Sequence, residues 1–337
     1  MVNMTHYMNL WDDSFQAIKE GWKTIEMRLN DEKRANISAD DIIEFTNTST
    51  EEKMECRVVK VHKYPDFTEL YKHHSKESIG YKEDEEPNPE DMFKYYTKEQ
   101  IEKYGVIGIE ISVVTPTYIL ASMYEGSFDE RTVDMLSRVI NKRERFAIIA
   151  SYFESYELTD KFANIFYNKF VEAGLGFNQM SVVDGRMTHE EAQKTIREAD
   201  MVWISGGDTP TEYRSICEYG LDKVLREHKG VLMGVSAGTL NLGKTVLCPK
   251  SNGYNHQQIY DGLGCVDITA FSHYDMGDIA EDKLELSYTY DFYYMTDDSY
   301  ILCVGNKKEF YGNIYFVSKG KKKMICQDLE RAYRGRS

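Results

Sequence analysis

Gly234-Val-Ser236-Ala-Gly238 is the stretch of this sequence most suited to chemistry. It is a G-x-S-x-G pattern between an apolar run, 230–235, and a helix-like stretch, 239–242. A strand that turns sharply into a helix strains its central residue and lifts that side chain above the sheet. The flanking glycines leave room for the backbone, and the first helical turn offers N–H groups, Ala237 first, to a developing oxyanion. Ser236 therefore reads as a nucleophile. The alternative is an ordinary tight turn, which the strand and helix on either side disfavour. An overlapping pattern, Gly238 to Thr245, formally satisfies the phosphate-loop rule G-x-x-x-x-G-K-[ST]. It is rejected, because 239–242 reads as helix and cannot hold its N–H groups open around phosphates.

A nucleophilic serine needs a base. Of the eight histidines, two follow Ser236 closely. His256 lies in a polar loop, whereas His273 ends an apolar run and can sit at a strand end near the same sheet edge. A second loop, Ser205 to Pro210, follows the apolar run 200–205. Its paired glycines, Gly206 and Gly207, let the backbone approach a ligand closely and supply a second oxyanion donor. Asp208 or Thr209 would cap the following helix, and the two roles are compatible.

These residues need elements to hold them. From Tyr118 onward apolar runs (118–123, 146–151, 178–183, 200–205, 230–235) alternate with helical patterns (131–141, 160–173, 189–198, 211–227). That alternation predicts an α/β fold, a parallel sheet with helices on both faces and ligands beyond the carboxyl ends of its strands. After Lys250 the pattern is less regular. Residues 1–113 read differently, with short strand-like runs at 41–45, 56–61 and 105–113 and an acidic loop at 82–91. Thr115-Pro116-Thr117 is the natural boundary.

Composition limits the partners. The 337 residues carry 41 basic and 56 acidic side chains, a net charge of −15, which repels phosphate backbones and anionic membranes. No apolar stretch is long enough to span a bilayer, and the first residues lack the pattern of a signal peptide. Six dispersed cysteines form no C-x-x-C pair, so neither a metal nor a dithiol site is expected. A cytoplasmic protein with free thiols is the expectation.

The order Ser205-Gly-Gly-Asp-Thr209, then Gly234 to Gly238, then an apolar run ending in His273-Tyr-Asp275 resembles the dipeptidase E and cyanophycinase family of serine peptidases. The resemblance implies a parallel-sheet α/β/α sandwich of the class I glutamine amidotransferase type, hydrolysis of short peptides, and no cofactor or metal. It implies Ser236 as nucleophile, His273 as base, and oxyanion donors from Gly206, Gly207 and Ala237. For the third member it points to Asp297, in the segment 296–303, ahead of Asp298, Asp275 and Asp261. Glutamine amidotransfer is not expected, since those enzymes need a cysteine where this chain has Ser236. Lys283 is the sole basic residue soon after His273, so neither an acidic substrate nor cyanophycin is expected.

Gly21-Trp-Lys23-Thr-Ile-Glu26-Met-Arg28, with the acidic and basic residues after it, resembles an ASCH domain, a small β-barrel related to the PUA fold, over residues 4–113. Such domains imply an RNA or nucleotide-like ligand, with Lys23 and Arg28 on a phosphate and Glu26 accepting from a base amine. The competing reading is an internal ion-pair cluster. Residues 1–113 hold 15 basic and 24 acidic side chains, so a small ligand or a short loop is favoured over long RNA. The ASCH amidohydrolases carry threonine in place of Glu26, so their activity is not transferred. The division is then 1–114, an ASCH domain; 117–320, a peptidase domain; and 321–337, a tail with basic residues Lys321 to Lys323, Arg331, Arg334 and Arg336. A rival reading is a regulatory protein that senses RNA or a nucleotide, with the hydrolase fold as scaffold. The oligomeric state is open, a homodimer included.

Overall fold

The computed structural model describes residues 4–124, 126–305 and 307–326. The chain divides into two compact units, 1–114 and 115–337.

The first unit runs β1 (Thr5–Leu10), α1 (Asp12–Lys19), β2 (Ile25–Leu29), β3 (Ile42–Asn47), β4 (Lys53–Tyr64), α2 (Phe67–His73), α3 (Lys98–Tyr104) and β5 (Val106–Val113). Its five strands form one curled, half-barrel sheet in the order β1-β3-β4-β5-β2. The sheet is open between β1 and β2. The long strand β4 pairs with both β3 and β5, and a register shift between Val58 and Lys60 bends it. Phe15, Ile43, Phe45, Val58 and Ile109 are fully buried in the main core.

The second unit begins with β6 (Thr117–Ala121), α4 (Glu130–Val139), β7 (Arg145–Ile149), α5 (Tyr156–Glu172), β8 (Gln179–Val183), α6 (His189–Glu198) and β9 (Met201–Ile204). It continues with α7 (Thr209–Glu218), α8 (Leu221–Arg226), β10 (Val231–Val235), α9 (Ala237–Leu242), β11 (Thr245–Cys248) and β12 (Gln258–Asp261). Last come β13 (Ala270–Phe271), α10 (Glu281–Leu286), β14 (Phe292–Met295), β15 (Tyr300–Val304), β16 (Lys307–Tyr311), β17 (Ile314–Ser318) and β18 (Lys321–Cys326). The main sheet has seven strands in the order β16-β15-β6-β10-β9-β7-β8. The five from β6 to β8 are parallel, and β15 and β16 join antiparallel.

Strand side chains alternate between faces, which accounts for two separate cores. Leu120, Ala147, Val202, Ile204 and Leu232 pack with α6, α7 and α8 on one face. Ile119, Phe146, Ile148, Trp203 and Met233 pack with α4 and α5 on the other. Both faces of each central strand are thus covered, as a parallel sheet requires.

The irregular region after Lys250 contains a four-stranded sheet, β13-β14-β17-β18. Residues 321–326, expected to begin a tail, instead form β18 and pair with β17. Lys319 and Gly320, both at positive φ, make the hairpin turn between them. Arg331, Arg334 and Arg336 lie outside the described residues.

Candidate active site

Four strands of the main sheet are followed at once, or after one residue, by a serine: Ser122 after β6, Ser151 after β7, Ser205 after β9 and Ser236 after β10. The strands are parallel and adjacent in register, so these serines gather along one sheet edge.

Ser236 has φ +52° and ψ −111°, a region that side chains avoid, at a cost of about 1–3 kcal/mol. The glycines around it make the strain unavoidable. A Cβ on Gly234 would meet the Gly238 carbonyl carbon at 2.5 Å, and one on Gly238 would overlap the Ile204 carbonyl. Helix and strand therefore cross with bare backbone in contact. The Gly238 N–H donates to the Ser205 carbonyl and the Ser236 N–H to that of Ala121, which locks the turn.

Ser236 Oγ lies 2.8 Å from His273 Nε2, and His273 Nδ1 lies 2.8 Å from Asp297 Oδ1. His273 follows β13, and Asp297 sits in the turn from β14 to β15. Parallel pairing of Phe271 with Tyr294 brings the two segments side by side. His273 has φ +58° and is held by its own N–H, which donates to Ser122 Oγ at 2.8 Å. Ser122 Oγ in turn reaches Asp297 Oδ1 at 3.0 Å. A fully buried hydroxyl thus ties the imidazole's backbone to the carboxylate that orients its ring. Of the four acids considered from sequence, Asp297 is the one hydrogen-bonded to His273; Asp261 pairs within the β11–β12 hairpin, and Asp275 Oδ1 accepts from the Gly277 N–H. His256 is exposed in the loop before β12.

The 205–208 loop runs beside the serine, where a Cβ on Gly206 would come within 3.0 Å of Ser236 Cβ. Asp208 caps α7 by accepting from the Thr211 N–H, and its own N–H donates to the Tyr152 hydroxyl. Ser151 Oγ donates to the Gly206 carbonyl. Among the described residues the N–H groups of Gly206, Gly207 and Ala237 have no hydrogen-bond partner. Gly207, Ser236, Ala237 and His273 line a cavity of about 500 Å³ together with Tyr254 and Lys283. The Lys283 ammonium lies 4.8 Å from the centre of the Phe271 ring. Burial lowers its pKa, opposed by the nearby charges of Asp282 and Asp275.

Sequence reasoning passed over Ser122 and Ser151. The two serines had a readable signal, the repeated ending of an apolar run in serine.

In the first unit Lys23, Glu26 and Arg28 come together. Lys23 precedes β2 in the turn from α1, and its Nζ lies 2.8 Å from Glu26 Oε2; Arg28 pairs with Glu26 Oε1. Burial pushes the Glu26 carboxyl up, but the charges of Arg28 and Lys23 outweigh it and hold the pKa below its usual 4.5. Lys23 also donates to Ser14 Oγ, and Arg28 to the Asn9 carbonyl. The cluster sits in the wall of a cavity of about 1080 Å³, which is also lined by Tyr7, Trp11, Arg34 and Tyr95. Among the described residues no group of three or more His, Cys, Asp or Glu side chains could hold a metal ion, and no helix is long and apolar enough to cross a membrane.

A parallel-rich sheet covered by helices, with a strained serine beyond its strand ends, places the second unit in the peptidase E-like class of folds. The chain belongs to Peptidase family S51, whose sequence profile matches residues 121–308. That membership supports peptidase activity. The ASCH domain profile matches residues 8–115. A peptidase from an acI-B1 Actinobacterium aligns with 63% of this chain and 95% of its own, at 13% identity and a TM-score of 0.49. A Listeria monocytogenes EGD-e protein described as a "putative peptidase E protein" aligns over 58% and 98%, at 17% identity and a TM-score of 0.44. A Pyrococcus furiosus protein aligns over 33% and 97%, at 31% identity and a TM-score of 0.26. No curated protein matched the chain.

Replacing Glu26 by Gln should destabilise the first unit by about 3–5 kcal/mol, since it leaves the buried Lys23 and the half-buried Arg28 without their anion. Because the folded pKa of Glu26 is depressed, its contribution is present above the unfolded value and lost as pH falls below 4.5. Denaturant titrations at pH 7 and pH 3.5 should show a larger acid loss for the wild type than for Glu26→Gln.

Proposed function

We propose that this protein is a serine-type hydrolase of short peptides, in which Ser236, His273 and Asp297 act as a catalytic triad. The observation that carries the reading is the unbroken hydrogen-bonded chain from Ser236 Oγ through His273 to Asp297. His273 Nε2 takes the hydroxyl proton as Ser236 Oγ attacks the peptide carbonyl carbon. Asp297 holds Nδ1–H and stabilises the imidazolium. The tetrahedral oxyanion rests on the N–H groups of Ala237 and Gly207, with Gly206 beside them. His273 then returns the proton to the leaving amine, and water repeats the sequence to release the acid.

A cavity of about 500 Å³ suits a dipeptide-sized substrate better than a long chain. Lys283 lines it together with Asp275 and Asp278, so a substrate carboxylate that reaches Lys283 would meet one cation there. The cavity of the first unit supports a second ligand. Its exposed rings, Trp11, Tyr7 and Tyr95, offer stacking surfaces above the buried ion-pair cluster. A nucleotide-sized molecule fits this arrangement, and the unit's excess of acidic groups disfavours long RNA.

A fluorophosphonate probe should label the wild type and leave Ser236→Ala unlabelled, while Asp297→Asn should lower turnover by about 10⁴-fold. An inert wild-type protein would instead favour the regulatory scaffold. Replacing Lys283 by Met should raise KM about 10- to 100-fold for dipeptides with an acidic side chain and leave neutral dipeptides unchanged. Equal effects on both would remove the carboxylate contact. Trp11→Ala should weaken nucleotide binding, followed by fluorescence titration, by about 5- to 100-fold; unchanged affinity would eliminate this cavity as the binding site.

A further inference from the structure

Ser122, the first residue after β6, is 0% exposed, whereas the His273 and Asp297 side chains are 43% and 38% exposed. Water competes for hydrogen bonds at such exposed groups, so the contact between ring and carboxylate alone holds the imidazole weakly. Beneath them the Ser122 hydroxyl makes three contacts. It accepts from the His273 backbone N–H at 2.8 Å, and it lies 3.0 Å from Asp297 Oδ1 and 3.2 Å from the Met295 carbonyl oxygen.

The position of one proton decides what this arrangement does. A hydroxyl has a single proton to give. The Met295 carbonyl already accepts from the Tyr274 N–H at 3.0 Å. Asp297 Oδ1 is closer to Ser122, and a hydrogen bond to an ionised oxygen is roughly twice as strong as a neutral one. A proton turned to Met295 would also leave Ser122 Oγ and Asp297 Oδ1 facing each other lone pair to lone pair. The Ser122 proton therefore points at Asp297. The hydrogen bonds then close a ring. The His273 N–H donates to Ser122, Ser122 donates to Asp297 Oδ1, and the same oxygen accepts from His273 Nδ1–H.

A ring that leaves His273 through its backbone and returns through its imidazole fixes the side-chain torsions in between. With Nδ1 as the donor to Asp297, Nε2 carries the lone pair that faces Ser236 Oγ at 2.8 Å. The residue before Ser122 completes the anchoring, because the Ala121 carbonyl accepts from the Ser236 N–H at 3.0 Å. Two consecutive residues at the end of β6 thus touch all three members of the triad. We propose that Ser122 is a positioning residue: its hydroxyl clamps the His273 backbone to the Asp297 carboxylate and so keeps Nε2 aimed at Ser236. The proposal rests on the hydrolase reading above.

The test measures kinact and KI for fluorophosphonate labelling of the full-length protein. Ser122→Ala removes only the hydroxyl and should lower kinact by about 10- to 100-fold, the order expected from a misplaced catalytic group, with KI unchanged. The loss should also depend on the acid. In the Asp297→Asn background, where the clamp already lacks its carboxylate, the same change should lower kinact by no more than about threefold. A merely structural serine would cost the same factor in both backgrounds, and that result would overturn the proposal. So would wild-type kinact in Ser122→Ala. If Ser122→Ala does not fold, Ser122→Cys, which fills the site with a weakly hydrogen-bonding group, decides by the same two comparisons. Failure of the wild type to label at Ser236 would sink the hydrolase reading itself, a separate result.

Discussion

The contact between bare backbones at the start of α9 governs everything else in the second unit. Gly234 and Gly238 allow the helix to cross the strand ends with no side chain between them, and the intervening residue has no relaxed conformation open to it. The strain at Ser236 is a local cost that the fully buried sheet beneath can sustain. The same close crossing brings the loop after β9 against the serine, so one packing decision aligns the hydroxyl and the neighbouring amides.

Two buried glutamates show how surroundings choose a protonation state. Glu26 has a lysine and an arginine on its two oxygens and stays ionised. Glu212 has one amide on Oε2 and no paired cation among the described residues, and burial pushes its pKa up. Each is almost fully enclosed, so depth alone predicts neither outcome. The first is the centre of an ion cluster, and the second accepts from a single amide.

Much of the architecture was legible in the sequence because the second unit is regular. Its apolar runs and helical stretches are separated by turn residues, and parallel strands buried on both faces read as continuous apolar segments. The serine elbow was legible for a related reason, since G-x-S-x-G between a strand and a helix is a local geometric demand. The region after Lys250 was not, because β13 has only two residues and its meaning comes from pairing with β14. Residues 321–326 read as tail because the lysines there are exposed on an edge strand, where charge is compatible with pairing. The partners of Ser122 and Glu212 are set by contacts across 151 and 29 residues respectively, which no window of sequence displays.

The antiparallel strand β15 inserts beside β6, the first strand of the same unit, and the turn just before it carries Asp297. The order of synthesis therefore matters. A ribosome releases Ser236 before His273, and His273 before Asp297, so an emerging chain presents the serine hydroxyl before its hydrogen-bond partners exist. The last strand to dock against the first also delivers the final member of the hydrogen-bonded chain. Completion of the sheet and closure of the Ser236–His273–Asp297 hydrogen-bonded chain are one event.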